Sequence, residues 1–150
     1  MSGAVEVAGL RRAAGLTQRE LAELSGVAQA NISAFERGSR NPSARMVARL
    51  QKAARPRPSS VLAEHRDEVL RLARRHRASK VRIVGSIARG EDRPGSDVDL
   101  LVAFSSRASV FDQVELIEDL EELLGVRVDV ISEAGLTAAH DALRGQARPL

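Results

Sequence analysis

Three aspartates define the chemistry open to this chain. Asp97 and Asp99 open one apolar run, Asp97-Val98-Asp99-Leu100-Leu101-Val102, and Asp129 sits inside another, Val126-Arg127-Val128-Asp129-Val130-Ile131. A third run, Val81-Arg82-Ile83-Val84, closes on Gly85-Ser86. In a strand, side chains two apart share a face, so Asp97 and Asp99 are expected to project together. Carboxylates held that close repel one another unless a cation lies between them. Hard oxygen ligands around one small space suit Mg²⁺, which keeps some waters and takes substrate phosphates as further ligands. A Gly-Ser turn can bring backbone N–H groups against a phosphate, with a helix N-terminus behind it as a fixed positive end. Together the residues point to a nucleotide held with its metals. Taken singly, each fragment has a plainer reading: the solvent face of an edge strand, an ordinary turn, a lone acid on an alternating strand.

The elements that must position these groups can be read around them. A helix is expected from about Val61 to His76, with Leu62, Val69, Leu72 and Ala73 as its apolar stripe. Arg66, Arg71, Arg74, Arg75 and Arg77 lie around the rest, as a solvated face or as an extension of a DNA- or RNA-binding surface. Strand, Gly-Ser turn and helix follow, then a strand over Asp97–Phe104. The next helix is expected from Val110 to Leu124, with Ser109 as N-cap and Gly125 at its end. The Asp129 strand and a short helix around Thr137–Leu143 complete an α/β mixture around a small sheet. His65, His76 and His140 are too scattered to form a metal site by spacing.

The front of the chain has a different texture. Thr17-Gln18-Arg19-Glu20 is a capping-box pattern, followed by Leu21 and Leu24 on one face and a turn at Ser25-Gly26-Val27. A second short helix is expected over Ala28–Glu36 with Ile32 and Phe35 inward, ending near Gly38. Asn41-Pro42-Ser43 then starts a third, carrying Met46, Val47 and Leu50. Two short helices joined by a tight glycine turn describe a helix-turn-helix. Arg55-Pro56-Arg57-Pro58-Ser59-Ser60 reads as a linker, since prolines do not sit in helix interiors.

Charge divides the chain in the same way. The net charge of +3 over 150 residues combines +4 in residues 1–54, +5 in residues 55–80 and −6 in residues 81–150. A basic front and an acidic back suggest two modules, the first meeting a polyanion. With no cysteine there is no disulfide, thiolate metal site or thiol nucleophile. Met1–Glu6 lacks a basic n-region and a long apolar core, so no signal peptide is expected there. No run approaches the length of a membrane span, and a cytoplasmic location is expected.

Two families are recognisable in these residues. Gly85-Ser86-Ile87-Ala88-Arg89-Gly90 through Ser96-Asp97-Val98-Asp99, with Asp129 on a later strand, resembles the nucleotidyltransferase fold of the DNA polymerase beta-like superfamily. Within it, residues 78–150 look most like the MNT, or minimal nucleotidyltransferase, group. Leu10-Arg11-Arg12-Ala13-Ala14-Gly15-Leu16-Thr17-Gln18 through Gly26-Val27, Asn31-Ile32-Ser33, Glu36-Arg37-Gly38 and Asn41-Pro42 resembles the XRE/Cro-type helix-turn-helix. It departs at Ala28, where many relatives have a capping serine, a local loss of about 1 kcal/mol. The expected fold class is α+β: an all-α helix-turn-helix domain over 1–54, a linker over 55–60, and a small α/β nucleotidyltransferase-fold domain with a mixed sheet over 61–150.

The resemblances imply a function. AMP would pass from ATP to an acceptor, with Asp97 and Asp99 ligating Mg²⁺ on the triphosphate. Asp129 would help hold a second metal or act as base at the attacking hydroxyl. Gly85, Ser86, Arg89 and Ser96 would hold the nucleotide. Gln29, Ala30, Asn31 and Ser33 would read bases of a double-stranded DNA operator, and Gln18, Arg37, Arg40 and Asn41 would hold its phosphates. MNT proteins are commonly paired with a HEPN-domain RNase toxin, which implies an antitoxin that also represses its own operon, as a homodimer or a hetero-oligomer with the toxin. A regulator whose transferase fold only senses nucleotide, an enzyme modifying a small hydroxylated molecule, and a catalytically silent cap on a toxin remain the alternatives.

Overall fold

In the computed structural model, which describes residues 3–150 and side chains from Val7 onward, the chain forms two compact units, one ending at Pro56 and one spanning Arg57–Leu150. Met1 and Ser2, and the side chains up to Glu6, lie outside the described residues, as does much of the stretch read for a signal peptide.

The first unit is built from α1 (Gly3–Ala13), α2 (Gln18–Ser25), α3 (Gln29–Arg37) and α4 (Ala44–Ala53). α2 begins at the expected capping box. Thr17 Oγ1 accepts from the Glu20 N–H at 3.1 Å, and Glu20 Oε2 accepts from the Thr17 N–H at 2.7 Å. These reciprocal bonds satisfy donors that every helix start leaves without a partner. α2 stops at Gly26, where φ of +72° suits glycine and strains other residues. α3 starts with no side-chain cap, because Ala28 has no oxygen to offer. Ser43 caps α4 by accepting from the Met46 N–H at 3.2 Å. Leu21, Ile32, Phe35 and Leu50 are buried at the centre of the unit.

One carboxylate is held against this core. Glu36 accepts from Arg11 at 2.6 and 3.2 Å and from Gln18 Nε2 at 2.8 Å, tying α1 and α2 to α3. The Arg11 guanidinium holds its carboxyl below the ordinary range, against the opposing effect of burial, and Gln18 adds in the same direction.

The second unit opens with α5 (Pro58–Glu64) and α6 (Arg66–Arg75), then β1 (Ala78–Val84), the single-turn α7 (Gly85–Ala88) and β2 (Val98–Phe104). α8 (Val110–Leu124) leads to β3 (Val128–Ser132), two 3₁₀ turns, α9 (Asp141–Gln146) and the two-residue β4 (Arg148–Pro149). The sheet order is β3-β2-β1-β4. β1 runs antiparallel to β2 and β4, while β2 and β3 are parallel. A parallel pair needs a crossover, and α8 supplies it. That helix keeps its expected bounds, with a capping box between Ser109 and Asp112 and Gly125 at φ +67°. Leu62, Val69, Leu116 and Leu120 pack against Val98, Leu100, Val102 and Val130 of the sheet. Because strand side chains alternate, burying Val98 and Leu100 there turns Asp99 to the opposite face. His76, only 7% exposed, joins the end of α6 to α8 through Asp119 Oδ2 at 2.6 Å.

Three local features differ from expectation. The single helix over 61–76 is two, parted at His65 (φ −106°, ψ 20°), whose Nδ1 lies 3.1 Å from Glu68 Oε1. Helix also begins earlier, at Pro58, since proline's fixed φ and missing N–H suit the first helical position. β4 gave no periodic signal because it is only two residues long. Among the described residues, no helix is long and apolar enough to cross a membrane.

Glu36 yields a stability test. A carboxylate with a depressed folded pKa contributes stability above its unfolded pKa and loses it as pH falls through the folded one. Glu36→Gln should therefore lower the unfolding free energy near neutral pH by about 2 kcal/mol in urea titrations. The gap to the parent should narrow in acid. Equal stability at neutral pH would contradict the role given to this pair.

Candidate active site and nucleic-acid interface

Asp99 and Asp129 are register partners on the parallel strands β2 and β3. Their side chains therefore leave one face of the sheet next to each other, about 5 Å apart at the backbone. Asp97 lies just ahead of β2 and is exposed. On the other side of β2, Val84 pairs with Asp99, which brings the Gly85-Ser86 turn directly beyond it. Gly85 has φ of +73°, and a Cβ built there would collide with Asp99 Oδ2. Glycine is thus required twice, for the backbone angle and for the approach of the carboxylate. α7 is a single turn, so the turn offers individual N–H groups and little of a long helix's dipole.

The electrostatics follow from this packing. Burial pushes the Asp99 carboxyl up from its ordinary range, Asp129 and then Asp97 push the same way, and Arg89 opposes them. Asp129 outweighs Asp97, which agrees with the strand register: the neighbour that matters most to Asp99 comes from another strand. Arg89 is exposed, with Nε 3.0 Å from Glu91 Oε2 and Nη1 donating to Gln146 Oε1 on α9 at 3.3 Å. Ser96 is engaged locally, its Oγ accepting from the Arg93 N–H at 2.9 Å and so closing the turn that leads into Asp97.

Among the described residues, no three acidic or histidine side chains gather into a ready-made metal cage. Mg²⁺ seldom uses such a cage; it is typically held by one or two carboxylates plus waters and substrate phosphates. The Asp99–Asp129 pair fits that demand.

Sequence reasoning passed over Asp92, which is only 3% exposed. Its Oδ2 accepts from the Ser59 N–H at 2.9 Å, and its main-chain oxygen accepts from Arg57 at 2.7 and 3.1 Å. It fastens the loop between Gly-Ser and Asp-x-Asp to the first turn of α5. An acid in that spacer was visible, but partners 33 and 35 residues upstream were not.

In the first unit, Gln29 and Ala30 are exposed at the start of α3, with Asn31 and Ser33 half-buried. Asn31 Oδ1 accepts from Arg40 Nη1 at 3.0 Å, and Ser33 Oγ accepts from Arg37. Asn41 is exposed beside them in sequence. Gln18 stands apart, since its amide donates to Glu36 and holds α2 on α3.

Comparison with known proteins bears on the family and fold of the two units. Residues 62–145 match the family model for the nucleotidyltransferase domain, and residues 8–55 match that for the helix-turn-helix. The protein adenylyltransferase MntA of Thermococcus cleftensis is 40% identical over 77 residues, covering 51% of this chain and 75% of that protein. A Methanocaldococcus jannaschii protein assigned as a protein adenylyltransferase is 38% identical over 69 residues, covering 46% of this chain and 74% of its own. A solved structure assigned as a minimal nucleotidyltransferase superposes with a TM-score of 0.57 at 46% identity, over 61% of this chain and 95% of that one. A chain from a toxin–antitoxin crystal structure with AMP-PNP shares the fold at a TM-score of 0.50 and 19% identity, over 55% of this chain and 69% of that one.

A carboxyl whose folded pKa is raised weakens the fold once ionised, so its contribution to stability improves as pH falls. Asp99→Asn should accordingly melt above the parent at neutral pH in metal-free buffer. Mg²⁺ with ATP should raise the melting temperature of the parent and leave the variant's nearly unchanged. A variant that melts lower without metal would contradict repulsion at this position.

Proposed function

Since the chain belongs to the nucleotidyltransferase domain family, we propose that it transfers AMP from ATP to a hydroxyl of a protein partner and releases pyrophosphate. The partner is a HEPN-type RNase toxin that the modification silences, and the helix-turn-helix unit represses the operon encoding the pair. The observation that carries the catalytic part is Asp99, set against the Gly85-Ser86 turn on one side and paired in register with Asp129 on the other. The curated relatives named as protein adenylyltransferases support a protein acceptor. The choice of a toxin follows the toxin–antitoxin complex whose chain shares this fold.

In this reading Gly85 and Ser86 donate to the β- and γ-phosphates, and Arg89 offsets charge there. Asp97 and Asp99 would hold Mg²⁺ that comes with the triphosphate, and Asp129 would be the further ligand for a second ion. Bound metal neutralises phosphate charge and fixes the line of displacement. The acceptor oxygen bonds to the α-phosphorus as the α–β bridging bond breaks, and pyrophosphate takes the bonding electrons. Asp129, the more open acid of the pair, receives the hydroxyl proton. The protein's share of the catalysis is mainly orientation and electrostatics. In the other unit, Gln29, Ala30 and Asn31 meet base edges in the major groove, while Arg37, Arg40 and Asn41 hold phosphates. A single module is small for specific affinity, so a dimer on a two-fold operator is expected.

The test is label transfer from α-labelled ATP and Mg²⁺ to the co-encoded partner. Label should move to the partner with equimolar pyrophosphate release. Asp97→Asn should slow transfer about 100-fold or more while sparing DNA binding. Gly85→Ala should do likewise, because its Cβ would displace Asp99. A folded protein that binds ATP yet labels nothing would leave a nucleotide-sensing regulator instead.

A further inference from the structure

The stretch from residue 55 to 80 is the most basic in the chain, with eight basic and three acidic side chains. The structure accounts for several of those cations. Arg57 is spent on Asp92, Arg66 lies 3.2 Å from Asp67, and Arg77 lies 3.9 Å from Asp112. Arg71, Arg74 and Arg75 are different. All three are exposed on α6, and among the described residues none has a carboxylate within ion-pair distance.

Their placement is set by the helix period. α6 buries Val69 and Ala73, so at 100° per residue Arg71 falls directly opposite the core, with Arg74 and Arg75 flanking it on either side. Arg71 and Arg74 also line an open depression of about 360 Å³ together with Asp67 and Leu70. Cations in a last turn suit the negative end of a helix. That explains Arg74 and Arg75 in part, but it does not explain Arg71, which lies a turn earlier. Three guanidinium groups spread over about one turn, some 6 Å along the axis, form a surface for a string of phosphates.

We propose that this arginine face of α6 is a second, sequence-independent phosphate-binding surface that docks the nucleotidyltransferase unit onto duplex DNA held by the helix-turn-helix unit. The inference rests on the DNA-binding reading above and decides between the two readings of these arginines in favour of a nucleic-acid surface on the second unit. Duplex DNA is favoured over other polyanions because only nine residues separate Pro56 from α6. A duplex held by the first unit is therefore present at a high effective concentration for the second. The docked unit would add phosphate contacts without altering base preference.

The salt dependence of binding tests this directly. The full chain and its Arg71→Gln/Arg74→Gln/Arg75→Gln variant are titrated with a short labelled random-sequence DNA duplex across a range of salt. Each phosphate contact contributes about 0.9 to the slope of log affinity against log salt, so the variant's slope should be shallower by about 2.7. Between about 50 and 200 mM salt the parent should thus lose about 40-fold more affinity than the variant. An Arg→Lys version of the same triple should keep the parental slope, which separates charge from any disturbance of the helix. If the parent binds and the Gln variant has the same slope, the inference fails and DNA binding by the first unit stands. If the parent binds no duplex at all, both fail. If the variant loses affinity for single-stranded RNA but not for duplex DNA, the face belongs to RNA and the proposal is overturned.

Discussion

Two like charges on adjacent strands are the constraint around which the second unit is organised. Asp99 and Asp129 are fixed side by side by the β2–β3 register, and no side-chain rotation separates their backbones. The partial burial of Asp99 and then its repulsion from Asp129 both disfavour its ionised form. A fold retains such an arrangement at some expense of stability, and active sites are where strain of that kind collects. In the proposed function the pair would become favourable with a divalent cation between the carboxylates, because opposite charge would then fill that space.

The rest of the unit can be understood as what keeps that pair in place. Parallel pairing of β2 and β3 is possible only because α8 crosses over the core face. Its burial of Leu116 and Leu120 against Val98, Leu100 and Val130 decides which way Asp99 points. Gly85 lets the preceding turn close on the Asp99 carboxylate. Asp92 anchors the intervening loop to α5, so Asp97 is delivered from a fastened segment. The first unit repeats this economy with Glu36, where one carboxylate and Arg11 bind three helices into a small core.

How much of this could be read from the chain depended on distance along it. Capping boxes at Thr17 and Ser109 and the glycine ends at Gly26 and Gly125 are signals within three or four residues of what they control. The Gly-Ser and Asp-x-Asp pattern, with Asp129, named the residues that the fold brings to one sheet face. It suggested Asp97 as the close partner of Asp99, whereas β2 begins at Val98 and the strand partner is Asp129. Strand pairing is non-local, and alternation within one strand cannot disclose it. The same limit hid Arg11–Glu36, Arg57–Asp92 and His76–Asp119, separated by 25, 35 and 43 residues. The break at His65 escaped because the apolar spacing of Leu62 and Val69 suits one continuous helix as well as two.

In the proposed function, Asp99 and Asp129 face a metal-bound nucleotide at the Gly85-Ser86 turn. The direct measurement is an anomalous-difference map from crystals grown with Mn²⁺ and a non-hydrolysable ATP analogue. The account predicts an ion within about 2.0–2.4 Å of an Asp99 oxygen, with the analogue's β- and γ-phosphates against Gly85 and Ser86. A nucleotide bound elsewhere, or one bound here with no ion on Asp99, would contradict it.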